Sequence, residues 1–136
     1  MAISFDNALG VHPYALQIRA ARAEIIANNF ANADTPGFKA RDIDFKQALK
    51  QAVDGLPSGN QLPLNTTNEH HLQTVPTEYS GPEVLFRTPI QPAIDGNTVD
   101  TQQEHSLFAR NAMDFQAGFE FLNSSFKSLK TAIKGN

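Results

Sequence analysis

The chain has 136 residues, enough for one domain, with 40% hydrophobic and 18% charged residues, proportions of a globular protein rather than a disordered one. A net charge of -3 supplies no basic field for phosphate backbones, which excludes a nucleic-acid partner. The absence of cysteine excludes disulfides, thiolate metal sites and cysteine nucleophiles together. Ten Phe with no Trp and only two Tyr supply bulk without polar handles, a composition suited to packing.

Residues Met1 to Gly10 lack the basic start and apolar core of a secretory signal. No stretch approaches the roughly 20 apolar residues of a membrane span. By these rules alone the chain reads as cytoplasmic.

Three regions follow: 1-54, with a long helix, an Asn-rich turn and a short helix; 55-97, a Pro-rich middle; and 98-136, a second long helix. In the first, Leu16, Ala20, Ala23, Ala27 and Phe30 recur at steps of four and three, a helical stripe. Val11, Ile18 and Ile25 form a second stripe seven apart, so the helix has two faces to bury. Pro13 lacks an N–H and is expected to open the main helix after a break at His12. Pro36 and Gly37 end it, because Pro36 biases Thr35 away from helix and Gly37 tolerates positive φ. A short helix is expected over Ile43 to Val53.

The middle region holds most of the eight prolines, which excludes a long helix. Gln73 to Tyr79 and Glu83 to Ile90, around Ser80-Gly81-Pro82, are predicted as a small β-hairpin, with an irregular segment as the alternative.

In the third region Thr101 and Glu104 fit a capping box, with Asp100 as a rival N-cap. From there Thr101, His105, Phe108, Ala112, Phe115, Phe119, Leu122, Phe126, Leu129 and Ile133 alternate steps of four and three. Such a helix would be roughly 50 Å long. Gly118 would weaken it by about 1 kcal/mol relative to Ala. An Ala-rich row and a Phe-rich row are complementary in size, which predicts that the two terminal helices pair along them in a coiled-coil-like core. The fold class is therefore mainly α. The stripe of Val11, Ile18 and Ile25 and the off-row Phe121 would then need cover from neighbouring molecules, which predicts a marginal monomer whose ends order on assembly.

Catalytic and metal chemistry find little support. Glu69-His70-His71 has no third ligand at a suitable spacing. His105 reads as a packed or register residue on the seam. Asp34, Asp42 and Asp44 read as surface charges without a nearby base. No phosphate loop, nucleophile elbow or zinc motif is present, so no cofactor and no enzyme activity are expected.

The run Ala27-Asn28-Asn29-Phe30-Ala31-Asn32-Ala33-Asp34-Thr35-Pro36-Gly37-Phe38-Lys39 resembles the N-terminal signature of bacterial flagellar rod and hook proteins. The continuation Ala40-Arg41-Asp42-Ile43-Asp44-Phe45 is similar to proximal rod members of that family. So are Thr66-Thr67-Asn68 with His71, Asn97-Thr98-Val99-Asp100, and Phe121-Leu122-Asn123. Phe30 stands where the family usually has a branched aliphatic residue, and Pro13 where it commonly continues its first helix.

The resemblance implies a structural subunit of the flagellar rod, the drive shaft that crosses the periplasm. It also implies export through the flagellar type III apparatus without a cleaved signal, in place of a cytoplasmic location. Implied partners are other copies of itself, FlgC-like proximal rod proteins, the FliE-like rod–ring adaptor, the FliF-like ring protein and the export gate; no small-molecule substrate is implied. The expected assembly residues are Leu16, Ala20, Ala23, Ala27, Phe30, Phe108, Phe115, Phe119, Leu122, Phe126, Leu129 and Ile133. The family motif falls on Asn28, Asn29, Asn32, Thr35, Pro36 and Gly37, whose Asn amides are expected to tie helix, turn and neighbour together. The rival readings are another rod or hook-basal axial protein, and a soluble helical adaptor or export chaperone.

Overall fold

Residues 8–54, 81–89 and 93–135 are described by a computed structural model of the chain. The expected strand Gln73 to Tyr79 and the motifs at Thr66-Thr67-Asn68 and Glu69-His70-His71 lie outside them.

Helix α1 covers His12–Ala31. Gly10 precedes it at φ 58°, a left-handed turn that separates the helix from the residues before it. Pro13 occupies the first turn, where no intrahelical N–H is required. The helix stops at Asn32, where the Asn32 N–H donates to the Asn29 carbonyl and the Ala33 N–H to the Phe30 carbonyl, both at 3.1 Å. A short strand β1, Arg41–Ile43, leads into α2, Phe45–Asp54. Asp44 starts α2 by accepting from the Gln47 N–H at 3.1 Å. Strand β2, Val84–Phe86, pairs antiparallel with β1 in the register Arg41↔Phe86, Asp42↔Leu85, Ile43↔Val84. The second half of the predicted hairpin is thus a strand, but its partner is β1, about forty residues upstream. Helix α3 runs for 34 residues, Thr101–Lys134.

The capping box expected at Thr101 and Glu104 does not form. Asp100 is the N-cap, accepting from Gln102 and Gln103 N–H at 2.9 and 3.2 Å. That frees Glu104 to turn inward, where it is 0% exposed.

The buried apolar residues are few: Ile18, Ile26, Ala40, Ile43, Ala48 and Ala52. Ile18, Ile43, Ala48 and Ala52 form one cluster, with Tyr14, Ala21, Ile25, Phe45 and Leu49 packed against it. Ile18 and Ile25 therefore face α2 and β1, so this stripe finds its cover within the chain rather than in a neighbour. Val11, at the end of that stripe, stays 42% exposed.

Helices α1 and α3 lie antiparallel. The Phe30 ring packs on His105 with centroids 4.5 Å apart, and at the far end His12 approaches Phe121 at 6.0 Å. Their contact row on α3 is Glu104, Leu107, Asn111, Asp114, Gly118, Leu122, Ser125 and Leu129, all buried or half-buried. The expected Ala-to-Phe pairing within the chain is not made. Leu16, Ala23, Phe30, Leu122 and Leu129 are half-buried, but Ala20, Ala27, Phe108, Phe115, Phe119, Phe126 and Ile133 are exposed. Each exposed Phe of the expected row follows a contact-row residue by one position: Leu107/Phe108, Asp114/Phe115, Gly118/Phe119 and Ser125/Phe126.

The rotation has an identifiable cause. Arg19 of α1 holds Asp114 at 2.9 Å, and Asn111 Nδ2 donates to the Arg19 carbonyl at 2.9 Å. These polar partners fix the helix face that hydrophobic spacing alone left open. Gly118 completes the fit: a Cβ there would stand 3.3 Å from Leu16 Cδ2. Its expected cost to the helix is the condition for close approach.

Candidate assembly surface and polar clasp

The Asn-rich turn is held from far along the chain. Asn97 is 5% exposed, and its amide Nδ2 donates to the carbonyls of Asn32, Ala33 and Thr35 at 3.0, 2.6 and 3.0 Å. A helix end leaves carbonyls without intrahelical partners, and Asn97 supplies the donor from another segment. Its Oδ1 accepts from the Val99 N–H at 2.8 Å. The clasp continues with Gly37 N–H to Asp95 O at 2.9 Å, Thr98 N–H to Phe38 O at 3.0 Å, and Ala40 N–H to Thr98 Oγ1 at 2.8 Å. Gly37 and Gly96 both have positive φ, and a Cβ on Gly96 would meet the Gly37 Cα at 3.7 Å. Asn97→Ala removes the side-chain bonds to four backbone groups, those of Asn32, Ala33, Thr35 and Val99. It should destabilise the fold by about 2 kcal/mol, read as a lowered urea midpoint.

A second set of contacts joins α1, the β-ribbon and α3. Asn29, fully buried, donates from Nδ2 to the Arg41 carbonyl at 2.8 Å and to Glu104 Oε2 at 3.2 Å, and accepts from the Arg41 N–H at 3.0 Å. Arg87, just after β2, bridges Glu104 Oε1 and Asp42 Oδ2. Arg22 of α1 grips Asp42 with two bonds of 2.7 and 2.8 Å. Asn28 Oδ1 accepts from the Arg41 guanidinium at 3.0 Å, and Asn32 Nδ2 donates to the Asn28 carbonyl at 2.8 Å. The motif asparagines thus tie helix to turn within the chain.

Asp42, read from sequence as a surface charge, is a half-buried joint. Burial pushes its carboxyl up, but bonds from Arg22 and the Ile43 N–H, with the charges of Arg22 and Arg87, outweigh this and hold it below the ordinary carboxylate range. A depressed acid stabilises the fold fully above its unfolded value and loses that contribution as pH falls through the folded one. The urea midpoint should therefore lose this contribution only below about pH 4. Asp42→Asn should flatten that part of the profile.

Of these network residues, the motif asparagines Asn28, Asn29 and Asn32 carried a sequence signal for the role they play; Arg22, Asp42, Arg87 and Asn97 did not. Arg87 and Asn97 sit in irregular segments, and their partners are fixed by the fold. Among the described residues, no group of three His, Cys, Asp or Glu could hold a metal ion, and no helix is long and apolar enough to cross a membrane.

What remains on the surface is a stripe of large apolar side chains along α3. Phe108, Phe115, Phe119 (53% exposed), Phe126 and Ile133 stand on one side of the helix. Ala20, Ala27 and Ala31 form the matching exposed strip on α1. Each strip borders the α1–α3 contact row on its own helix, and in an antiparallel pair the two fall on the same side. The result is an apolar face with a Phe ridge beside an Ala trough, unlike the surface of an ordinary monomer.

The comparisons with known proteins agree with a packing role. Residues 9–39, which are α1 and the turn after it, match the family described as Flagella basal body rod protein. The class is thus that of flagellar basal body rod proteins. The chain is 50% identical to the flagellar basal body rod protein FlgB of Aeromonas hydrophila, over 99% of this chain and 98% of that protein. It is 41% identical to FlgB of Salmonella typhimurium, over 96% and 95%, and 36% identical to FlgB of Escherichia coli, over 98% of each. The chain belongs to the FlgB family, a family of structural rod proteins rather than of enzymes.

Proposed function

We propose that the chain is a structural subunit of the proximal flagellar rod, joined to its neighbours through the apolar face of the α1–α3 pair. The observation that carries this reading is the Phe ridge of α3, left uncovered because the chain uses the adjacent polar row to pair its own helices. Ala20, Ala27 and the Phe ridge, together with Ile133, form the assembly surface. Leu16, Ala23, Phe30, Leu122 and Leu129 lie between them and support it. Contacts of this kind that do not close into a ring build helical arrays, and torque passes through many small dispersion contacts in parallel.

In this reading the subunit reaches the periplasm through the flagellar export apparatus without a cleaved signal. There it meets further copies, FlgC-like rod proteins, a FliE-like adaptor and the FliF-like ring, after passing the export gate. The test is complementation. In flagellated cells deleted for their own FlgB, the chain should restore swimming and co-purify with basal bodies. Cells that stay non-motile, with the chain expressed and exported, would contradict the assignment.

A further inference from the structure

Arg19 lies on the side of α1 that meets α3, close to Leu16, which packs on Gly118. Its side chain is only 17% exposed. Asp114 holds its guanidinium at 2.9 Å, and the Phe45 ring lies beneath it with the centroid 4.1 Å from Cζ. Asn111 Nδ2 reaches the Arg19 carbonyl at 2.9 Å. A cation so placed gives up hydration and gains one ion pair. An apolar residue would serve the pairing of two helices as well or better.

The same two helices have a second seam open to them. Turning α3 about its axis by one residue, about 100°, would carry the contact row away from α1 and bring Phe108, Phe115, Phe119 and Phe126 in its place. Apolar burial favours that seam, because Glu104, Asn111, Asp114, Gly118 and Ser125 of the contact row offer little apolar surface. In it the residues opposite Arg19 would be Ala112 and Phe115, one position on from Asn111 and Asp114. Neither can neutralise a guanidinium, and one face of Arg19 is already taken by Phe45. The Phe seam would thus enclose a cation without its acid, a heavy penalty in a desolvated contact. Glu104, held by Arg87 and Asn29, resists the same turn at the start of α3, and Arg19 resists it along the middle.

We infer that Arg19 is a specificity-determining residue, a cation that keeps the chain from burying its own Phe ridge and so leaves the ridge free for assembly. The use of the ridge rests on the rod-subunit reading. The choice of seam is a property of the single chain.

The chain has no cysteine, so an introduced thiol reports on one place alone. Ala112→Cys samples the ridge side, where Ala112 is exposed, and Ser125→Cys samples the contact row, where Ser125 is half-buried. Each purified full-length chain is treated with a maleimide, and the ratio of the first rate to the second is compared among Arg19, Arg19→Leu and Arg19→Lys backgrounds. With Arg19 in place the ridge thiol should react faster. Arg19→Leu should lower the ratio severalfold while helical circular dichroism persists, and should abolish swimming in cells deleted for their own FlgB. Arg19→Lys keeps the cation and should keep the ratio. A role confined to the ion pair would lower the thermal midpoint and leave the ratio in place. That result, an equal fall in Arg19→Lys, or normal swimming by Arg19→Leu would overturn the inference. Loss of helical signal in both Arg19→Leu and Arg19→Met would overturn it too, because the cation would then be needed for folding itself. Failure of the unmodified chain to restore swimming would remove the rod reading while the thiol ratio still decided the seam, so the two failures are distinguishable.

Discussion

Phe119→Asp is expected to abolish swimming while leaving the folded chain intact. Phe119 is more than half exposed, so within one molecule the change exchanges a solvated ring for a solvated carboxylate. Its thermal midpoint should move by no more than the roughly 0.5 kcal/mol usual for surface substitutions. In an assembled face the same carboxylate would be desolvated without a partner, at a cost of several kcal/mol per contact, repeated in every subunit. Export of the variant, measured by secretion into the medium or periplasm, should continue. The two readouts together decide the matter. Normal swimming would remove the Phe ridge as an assembly element. A collapsed midpoint would show that Phe119 is needed by the monomer, contrary to its exposure.

The second large effect is expected from Arg87→Ala. Glu104 has no contact with solvent, and among the described residues Arg87 is its sole ion-pair partner. Truncating the arginine leaves a buried carboxylate with only the Asn29 amide, and removes one of the two cations on Asp42. The loss should be about 3–5 kcal/mol, a large share of the stability of a domain this size. Urea denaturation measures it. Adding Glu104→Gln to Arg87→Ala should recover a substantial part, because the stranded charge is gone while the side-chain volume stays. A double variant no more stable than Arg87→Ala alone would show that the loss comes from packing of the arginine stem.

Much of the architecture was legible in the sequence, for reasons that remain local. Helix propensity and period located α1 and α3; Pro13, Pro36 and Asp100 marked their ends; and proline density argued against a long helix in the middle region. Which face of α3 meets α1 was not legible. Hydrophobic periodicity favoured the Phe row, Gly118 looked like a weakness beside it, and Asn111 and Asp114 carried no signal. Their roles appear only once Arg19 and Leu16 are opposite them. The cover over Ile18 and Ile25 was missed for a related reason: α2 was anticipated, but nothing local indicated that it folds back on α1. Asp42 and Arg87 are the clearest case. Each looks like an ordinary exposed charge until β1 and β2 pair and bring them to Arg22 and Glu104. The asparagine motif was legible as a tie between helix and turn, but Asn97, which completes that tie, sits more than sixty residues further on.

The clasp also sets an order of events. The carbonyls at the end of α1 wait for Asn97, and the amide of Asn29 waits for Glu104, separations of 64 to 75 residues along the chain. A polypeptide delivered amino end first, from a ribosome or through a narrow conduit, has neither partner during most of its passage. Loop-closure entropy is spent before these contacts return anything. The leading two-thirds can therefore travel as pliable chain, and the structure locks only when its last helix has arrived.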